Sequence, residues 1–584
     1  MMSLKKHCFL LSTLLLWSLT TFLTSCQDES TASTESSIKT LYVNGKVWTE
    51  EGCVGDSGKE FCATTIAIDD DGKIAYVGEE AEAPKGENTE VVDLKGAFVM
   101  PGFIEGHAHF SGLGSSLRNL NFLRSKSWDE IVEMVEGRAA ETPEGDWITG
   151  RGWHQEKWDK PHDHSVGGYP VHDELSRLTS EHPVVLRHAS GHALFANDKA
   201  MEIAGVSRET PDPDGGRILR DQQGDPTGVF EERAMDLISD AYQNFVQTMK
   251  PEERKNEWLA GIRAAEEECL RKGITSFQDA GTKFREIDWY LELAAADSLD
   301  LRLWVMLRES YQDMAGKLDD FPITEPTDFF TCAAIKTELD GALGSYGAWL
   351  LEEYFDNPGF VGQNTTKVET VDSIAQLCLE HDLQLCVHAI GDRANRETLD
   401  VIEKYAKPGD DRRWRIEHSQ HIHPTDSPRF AELGVIASMQ GIHCTSDALF
   451  AENRLGTERA RSGAYPWRSL LDAGAVVTNG TDAPVEDVDP LESFYASVTR
   501  RRVDRPDVVF FPEQKMTREE ALVSYTAAPA FAAFEGDRKG KIKPGYYADL
   551  TVLSNNLLNC AEDQIMNTDV LMTIVGGRVK YRYQ

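Results

Sequence analysis

Basic residues are scarce in this chain: 60 lysines and arginines stand against 97 aspartates and glutamates, a formal net charge of −37. That deficit argues against nucleic acid as a partner, because phosphate binding needs a basic face. It describes a self-repelling, soluble surface and says nothing about fold. None of the ten cysteines stands in a Cys-x-x-Cys spacing, so a structural zinc ribbon lacks its ligand framework. No Gly-rich loop is followed by a Lys-Ser/Thr pair, and the absence of a Gly-x-Ser-x-Gly elbow argues against a serine hydrolase. Neither an internal repeat nor a long low-complexity segment is visible.

Apolar residues make up 41% of the 584-residue chain, which is long enough for one large catalytic domain and a smaller one. Behind Lys5 and Lys6 runs CFLLSTLLLWSLTTFL, short of the roughly 20 apolar residues that span a bilayer. It ends in LTSC at Leu23–Cys26, which resembles a bacterial lipoprotein signal with Cys26 as the acylated first residue. An ordinary cleaved signal peptide with an incidental cysteine is the alternative, and both imply export. Residues 27–37, QDESTASTESS, have too little apolar surface to fold and read as a flexible tether. In an oxidising compartment Cys53 and Cys62 can close the loop between them with a disulfide. The remaining cysteines of the mature chain sit singly in apolar patterns, as small core residues do.

Residues 38–98 alternate apolar and polar positions between turns, and Asn44-Gly45 and DDDGK are hairpin signals. The C-terminal residues 537–584 share that texture, so both chain ends together are expected to build one small β-domain. Between them, over 99–536, strand-like runs alternate with helical stretches: 97–106, 273–281, 301–307, 330–339, 383–391, 413–419, 434–441 and 475–482. This rhythm is that of a (β/α)8 TIM barrel, an α/β fold whose active site lies at the strand C-terminal ends. Roughly 160 residues separate the first two runs, far more than a βα loop needs. The insertion, about 112–256, is expected to form a lid or subdomain over the barrel mouth.

The candidate chemistry sits at those strand ends. His107 and His109 in GFIEGHAHF are two apart, so both imidazoles can face one spot. His388 closes LQLCVHAIGD, His418 closes RWRIEHSQ and Asp482 closes AVVTNGTDAP. A single histidine on an apolar face is more often a satisfied core residue. Four of them with an aspartate, all at strand ends that a barrel converges, imply a metal site rich in nitrogen ligands, with zinc favoured. Lys336 sits within the apolar run AAIKTEL, where a buried ammonium needs a partner or a chemical change.

The stretches PGFIEGHAHF, WITGRGWHQEKW, PVVLRHASGHALFAN, IKTELDGALGS, VHAIGDRANRETLD, RIEHSQHI and GTDAPVEDVDPL occur in the order seen in the amidohydrolase superfamily. The chain resembles its YtcJ-like, or amidohydrolase-3, branch over about 38–584. That resemblance implies a barrel with a small β-sandwich made from both chain ends. It also implies a carbamate on Lys336, formed with carbon dioxide, as a metal ligand beside His107, His109, His388 and His418; a structural lysine paired to Asp340 or Glu338 is the alternative. One or two divalent ions would then lower the pKa of a water toward ~7, and Asp482 would be the catalytic acid–base, unless it merely caps the turn before Pro484.

His192 resembles a substrate-pocket histidine of the family, against a helix-capping role. Trp153 and His443 can line the pocket, against core packing and a surface turn respectively. Glu231 and Glu232 read as a solvated helix face. The expected activity is hydrolysis of a non-peptide carbon–nitrogen bond, amide or N-formyl, in a small molecule. A C–O (ester or lactone) hydrolase and a silent ligand-binding lipoprotein are the alternatives. The expected location is a bacterial cell envelope, membrane-anchored through lipid on Cys26. Oligomeric state is left open, a homo-oligomer included.

Overall fold

The computed structural model describes residues 37–49, 63–407 and 409–584. The signal-like run, Cys26, Cys53 and Cys62 lie outside the described residues. Eight parallel strands make the central sheet: β1 (Phe103–Ala108), β2 (Ile274–Thr282), β3 (Arg302–Leu307), β4 (Phe330–Glu338), β5 (Gln384–Ala389), β6 (Arg415–His418), β7 (Ile436–Gln440) and β8 (Val477–Gly480). Each pairs with the next in chain order. The ring nearly closes where β8 returns to β1, as the Asp482 N–H donates to the His107 carbonyl at 2.8 Å. Glycine lets this seam form: a Cβ on Gly106 or on Gly480 would stand 2.4 Å from Asn479 O or Glu105 Oε1. Helices cover the outside, among them α1 (Phe110–Arg118), α2 (Pro251–Arg271), α3 (Phe284–Ala295), α4 (Val368–Glu380) and α5 (Asp392–Tyr405). With both faces covered the strands are buried along their length, hence their near-continuous apolar runs. The fold is the (β/α)8 barrel expected from the strand–helix rhythm.

Two smaller sheets draw on both chain ends. One holds Ile38–Val43, Thr65–Asp69, Ile74–Gly78 and Glu90–Asp93; the other holds Lys46–Val47, Phe98–Pro101, Leu550–Leu553, Val570–Val575 and Arg578–Arg582. Tyr42, Ile66, Ile68, Val99, Leu550, Val552 and Ile574 share their core. Two expectations need correction here. The run 97–106 is two strands, since Phe98–Pro101 pairs antiparallel with Leu550–Leu553 and only Phe103–Ala108 enters the barrel. Both halves are buried, so hydrophobicity alone could not show the switch. Asn44-Gly45 is no hairpin either: the strands on its two sides join different sheets. The DDDGK turn does form a hairpin, with Gly72 at φ +74°.

Between α1 and α2 the chain builds a six-stranded sheet in the order Gly216–Arg220, Pro226–Glu232, Ala193–Ala196, Val184–His188, Ile148–Trp153, Leu120–Asn121. Trp128, Trp153, Leu186, Phe195 and Val229 form a core of its own. No helix among the described residues is long and apolar enough to cross a membrane.

Candidate metal centre

The C-terminal ends of β1, β5, β6 and β8 converge on Asp482. Its Oδ1 lies 3.2 Å from His109 Nε2 and 3.6 Å from His107 Nε2, and its Oδ2 lies 4.0 Å from His418 Nδ1 and 3.9 Å from His443 Nε2. The His388 ring centroid is 4.4 Å from that of His418, which is 4.7 Å from His107. Lys336, buried on β4, lines the same cavity as His109, His388, His418 and Asp482. Burial holds the His107 imidazole down at about 4 and pushes those of His388 and His418 well below the usual histidine range, so all three are neutral. Against burial, the close approach of His109 and the other imidazoles keeps Asp482 ionised, its pKa well below the carboxylate norm.

Neutral imidazoles around a carboxylate are the donor set a divalent cation takes. The unsatisfied atoms agree: His107 Nε2, His388 Nε2 and Asp482 Oδ1 are buried and make no hydrogen bond among the described residues. Tautomers agree too. His107 Nδ1 bonds Glu417 Oε2, which places that ring proton away from Asp482 and leaves Nε2 a lone pair facing it; His418 Nδ1 donates to Gln440 Oε1 at 2.8 Å, which leaves the His418 lone pair on Nε2. His418 and Asp482 hold left-handed backbone, φ +74° and +56°, a strain that persists only where the surroundings impose it.

A model of the amidohydrolase family matches residues 90–581. The chain belongs to that family. It is similar to Protein LONG AFTER FAR-RED 3 of Arabidopsis thaliana, 32% identical over 93% of this chain and 91% of the relative. It is also similar to putative amidohydrolase YtcJ of Bacillus subtilis, 30% identical over 84% and 90%, and to N-substituted formamide deformylase of Arthrobacter pascens, 28% over 89% and 95%. Among solved structures, an uncharacterized metal-dependent hydrolase of Pyrococcus horikoshii superposes with a TM-score of 0.69 at 25% identity, covering 90% of this chain and 99% of that one.

The amidohydrolase cavity beside this cluster measures about 810 Å³, and a smaller pocket of about 60 Å³ meets it at His192, His388, His418 and Asp482. His192 lines both and bonds Glu232 Oε2 at 3.0 Å, a pairing that lifts its pKa to about 9 against burial. His443 is buried in the smaller pocket's wall; Gln420 Nε2 donates to its Nδ1 at 2.9 Å, so its Nε2 presents an N–H. Trp153 is not on either wall. It is fully buried in the insertion core, donates to the Leu186 carbonyl at 2.8 Å and backs the smaller pocket from behind His188 and Ala189.

Lys336 has neither of the partners considered for it, because both are engaged elsewhere. Glu338 pairs with Arg308, and Asp340 accepts the N–H groups of Trp349, Ile390 and Gly391 at 2.8, 2.9 and 2.8 Å. Burial draws its amine below the usual lysine range. Glu231 and Glu232 are not a solvated helix face: they end the strand Pro226–Glu232, where Glu231 takes a 2.7 Å bond from Arg217 and Glu232 turns to His192.

Sequence reasoning passed over Glu417, Arg415, Gln420 and Gln440. The signal was present in RIEH, where two charges alternate inside a buried strand and so must be paired.

Proposed function

We propose that this amidohydrolase cleaves a non-peptide carbon–nitrogen bond, amide or N-formyl, in a small molecule. The observation that carries it is the set of buried, unsatisfied imidazole and carboxylate atoms gathered round Asp482 at the barrel mouth. The bond type draws support from the similarity to a protein named N-substituted formamide deformylase.

His107, His109, His388 and His418 would hold one or two divalent cations, zinc by donor type, with Lys336 as a fifth ligand once its neutral amine has added carbon dioxide and released a proton. A cation held there supplies an acidified water and polarises the scissile carbonyl. Asp482, ionised and flanked by the imidazoles, accepts the proton of the attacking water and returns it to the departing nitrogen. His443 offers its Nε2 proton to the substrate oxygen, and His192, kept cationic by Glu232, stands on the adjoining wall.

A screen of N-formyl and N-acyl compounds with zinc-loaded protein tests the reading. Hydrolysis should fall about 10²–10⁴-fold in Asp482→Asn; activity surviving that substitution removes Asp482 from its role. We further propose that the chain is exported to a bacterial envelope and anchored by lipid on Cys26. Cys26→Ala should then move the protein out of the membrane fraction, and retention there refutes the anchor.

A further inference from the structure

The insertion sheet carries two arginines that the chemistry above does not use. Arg151, on Ile148–Trp153, and Arg187, on Val184–His188, are register partners on adjacent parallel strands. Their side chains therefore leave one face of the sheet about 4.8 Å apart. Both line the 810 Å³ cavity together with His109, His192, Lys336, His388, His418 and Asp482.

Like charges directly opposite each other destabilise a sheet, and no carboxylate among the described residues forms an ion pair with either arginine. Arg151 donates from Nε to Pro484 O at 3.1 Å and from Nη2 to Ala189 O at 2.9 Å; Arg187 donates from Nη2 to Ser239 Oγ at 3.1 Å. All three acceptors are uncharged, and the Nη1 group of each guanidinium makes no hydrogen bond among the described residues. Asp482 is near enough to Arg151, and Asp236 to Arg187, to be felt, yet neither carboxylate forms an ion pair with its arginine. Burial draws Arg151 down to about 10 and Arg187 below its ordinary value, each against its preference for charge.

Two other cationic side chains of this wall are matched, Arg308 with Glu338 and His192 with Glu232. The unmatched pair is conspicuous in a chain of net charge −37. Gly191, at φ +79°, passes over the Arg151 fork without a side chain; a Cβ there would meet Nη2 and Nη1 at 3.7 and 3.9 Å.

We propose that Arg151 and Arg187 form a subsite for a substrate carboxylate, so that the amide cleaved by this enzyme also carries a carboxylate group. The planar guanidinium forks offer paired N–H donors that match a carboxylate's two oxygens, and an anion between them removes the cross-strand repulsion. The inference rests on the hydrolase reading of the same cavity, and its test separates the two.

Binding is measured by calorimetry on zinc-loaded Asp482→Asn protein, with a panel of N-formyl and N-acetyl amino acids, each compared with its neutral carboxamide isostere. The acids should bind roughly 10–100-fold more tightly than their isosteres. Arg187→Gln should collapse that ratio, while Arg151→Lys, which keeps the charge and loses the fork, should reduce it partly. Thermal unfolding checks that each variant is folded. Arg187→Gln carries the test should Arg151 variants fail, since Arg151 also ties two loops together. A panel in which no acid outbinds its isostere, or a ratio unchanged in folded Arg187→Gln, overturns the subsite. Turnover of the same panel by the wild-type enzyme judges the hydrolase reading separately: carboxylate-dependent binding without cleavage would leave the subsite standing and sink the reaction.

Discussion

His107 and Glu417 meet across the barrel, Nδ1 to Oε2, with both side chains fully buried. Arg415 holds Glu417 in turn, from Nε at 2.7 Å and Nη2 at 3.1 Å, while its other donors reach Gln278 Oε1, Gly106 O and Ser438 Oγ. After burial, which acts the other way, Arg415 is the main influence on Glu417 and keeps it ionised far below the usual carboxylate range. The carboxylate therefore holds the His107 proton at Nδ1 and turns the Nε2 lone pair toward Asp482.

Glu417→Gln should keep an acceptor for His107 but lose the charge, lowering zinc affinity about 10–100-fold. Glu417→Ala should do more, destabilising the fold by about 3–5 kcal/mol because Arg415 is left buried without its carboxylate. Metal titration separates the first effect from the second, which urea unfolding reads. Unchanged zinc affinity in Glu417→Gln would mean that the pair supports the barrel and not the site.

Lys336 should carry a carbamate. Native mass spectrometry should show the chain heavier by one carbon dioxide, lost on acidification, with no such increment in Lys336→Met. Methionine fills a similar volume among apolar neighbours, so the variant should fold yet bind less zinc than wild type. An unmodified Lys336 in a fully metal-loaded protein would contradict the assignment.

His421 should make the fold sensitive to acid. It is buried, with neither ring nitrogen hydrogen-bonded, and burial lowers its pKa to about 3. The unfolded chain takes up this proton near pH ~6.5 and the folded chain does not until about 3, so the loss of stability begins as pH falls through 6.5. Between pH 7 and pH 5 the contribution is about 2 kcal/mol. Urea unfolding of His421→Leu should show a flatter dependence across that window; an identical slope would mean that the folded state accommodates the charged ring.

The sequence by itself determined the fold class and the types of residue at the strand ends. Alternation of apolar strands with amphipathic helices is a local property, and a barrel places consecutive strand ends side by side whatever the loops do. His107, His109, His388, His418 and Asp482 stood out for that reason. Tertiary structure alone decided which carboxylate touches which ring. Glu417 lies 310 residues from His107, and Glu232 lies 40 from His192. Trp153 was expected on the pocket wall and proved to be core, while Arg151, two positions earlier on the same strand, lines the cavity unannounced. A side chain's face and register depend on how distant strands pair, and that pairing is settled only when the sheets close, because no short stretch holds the atoms that decide it.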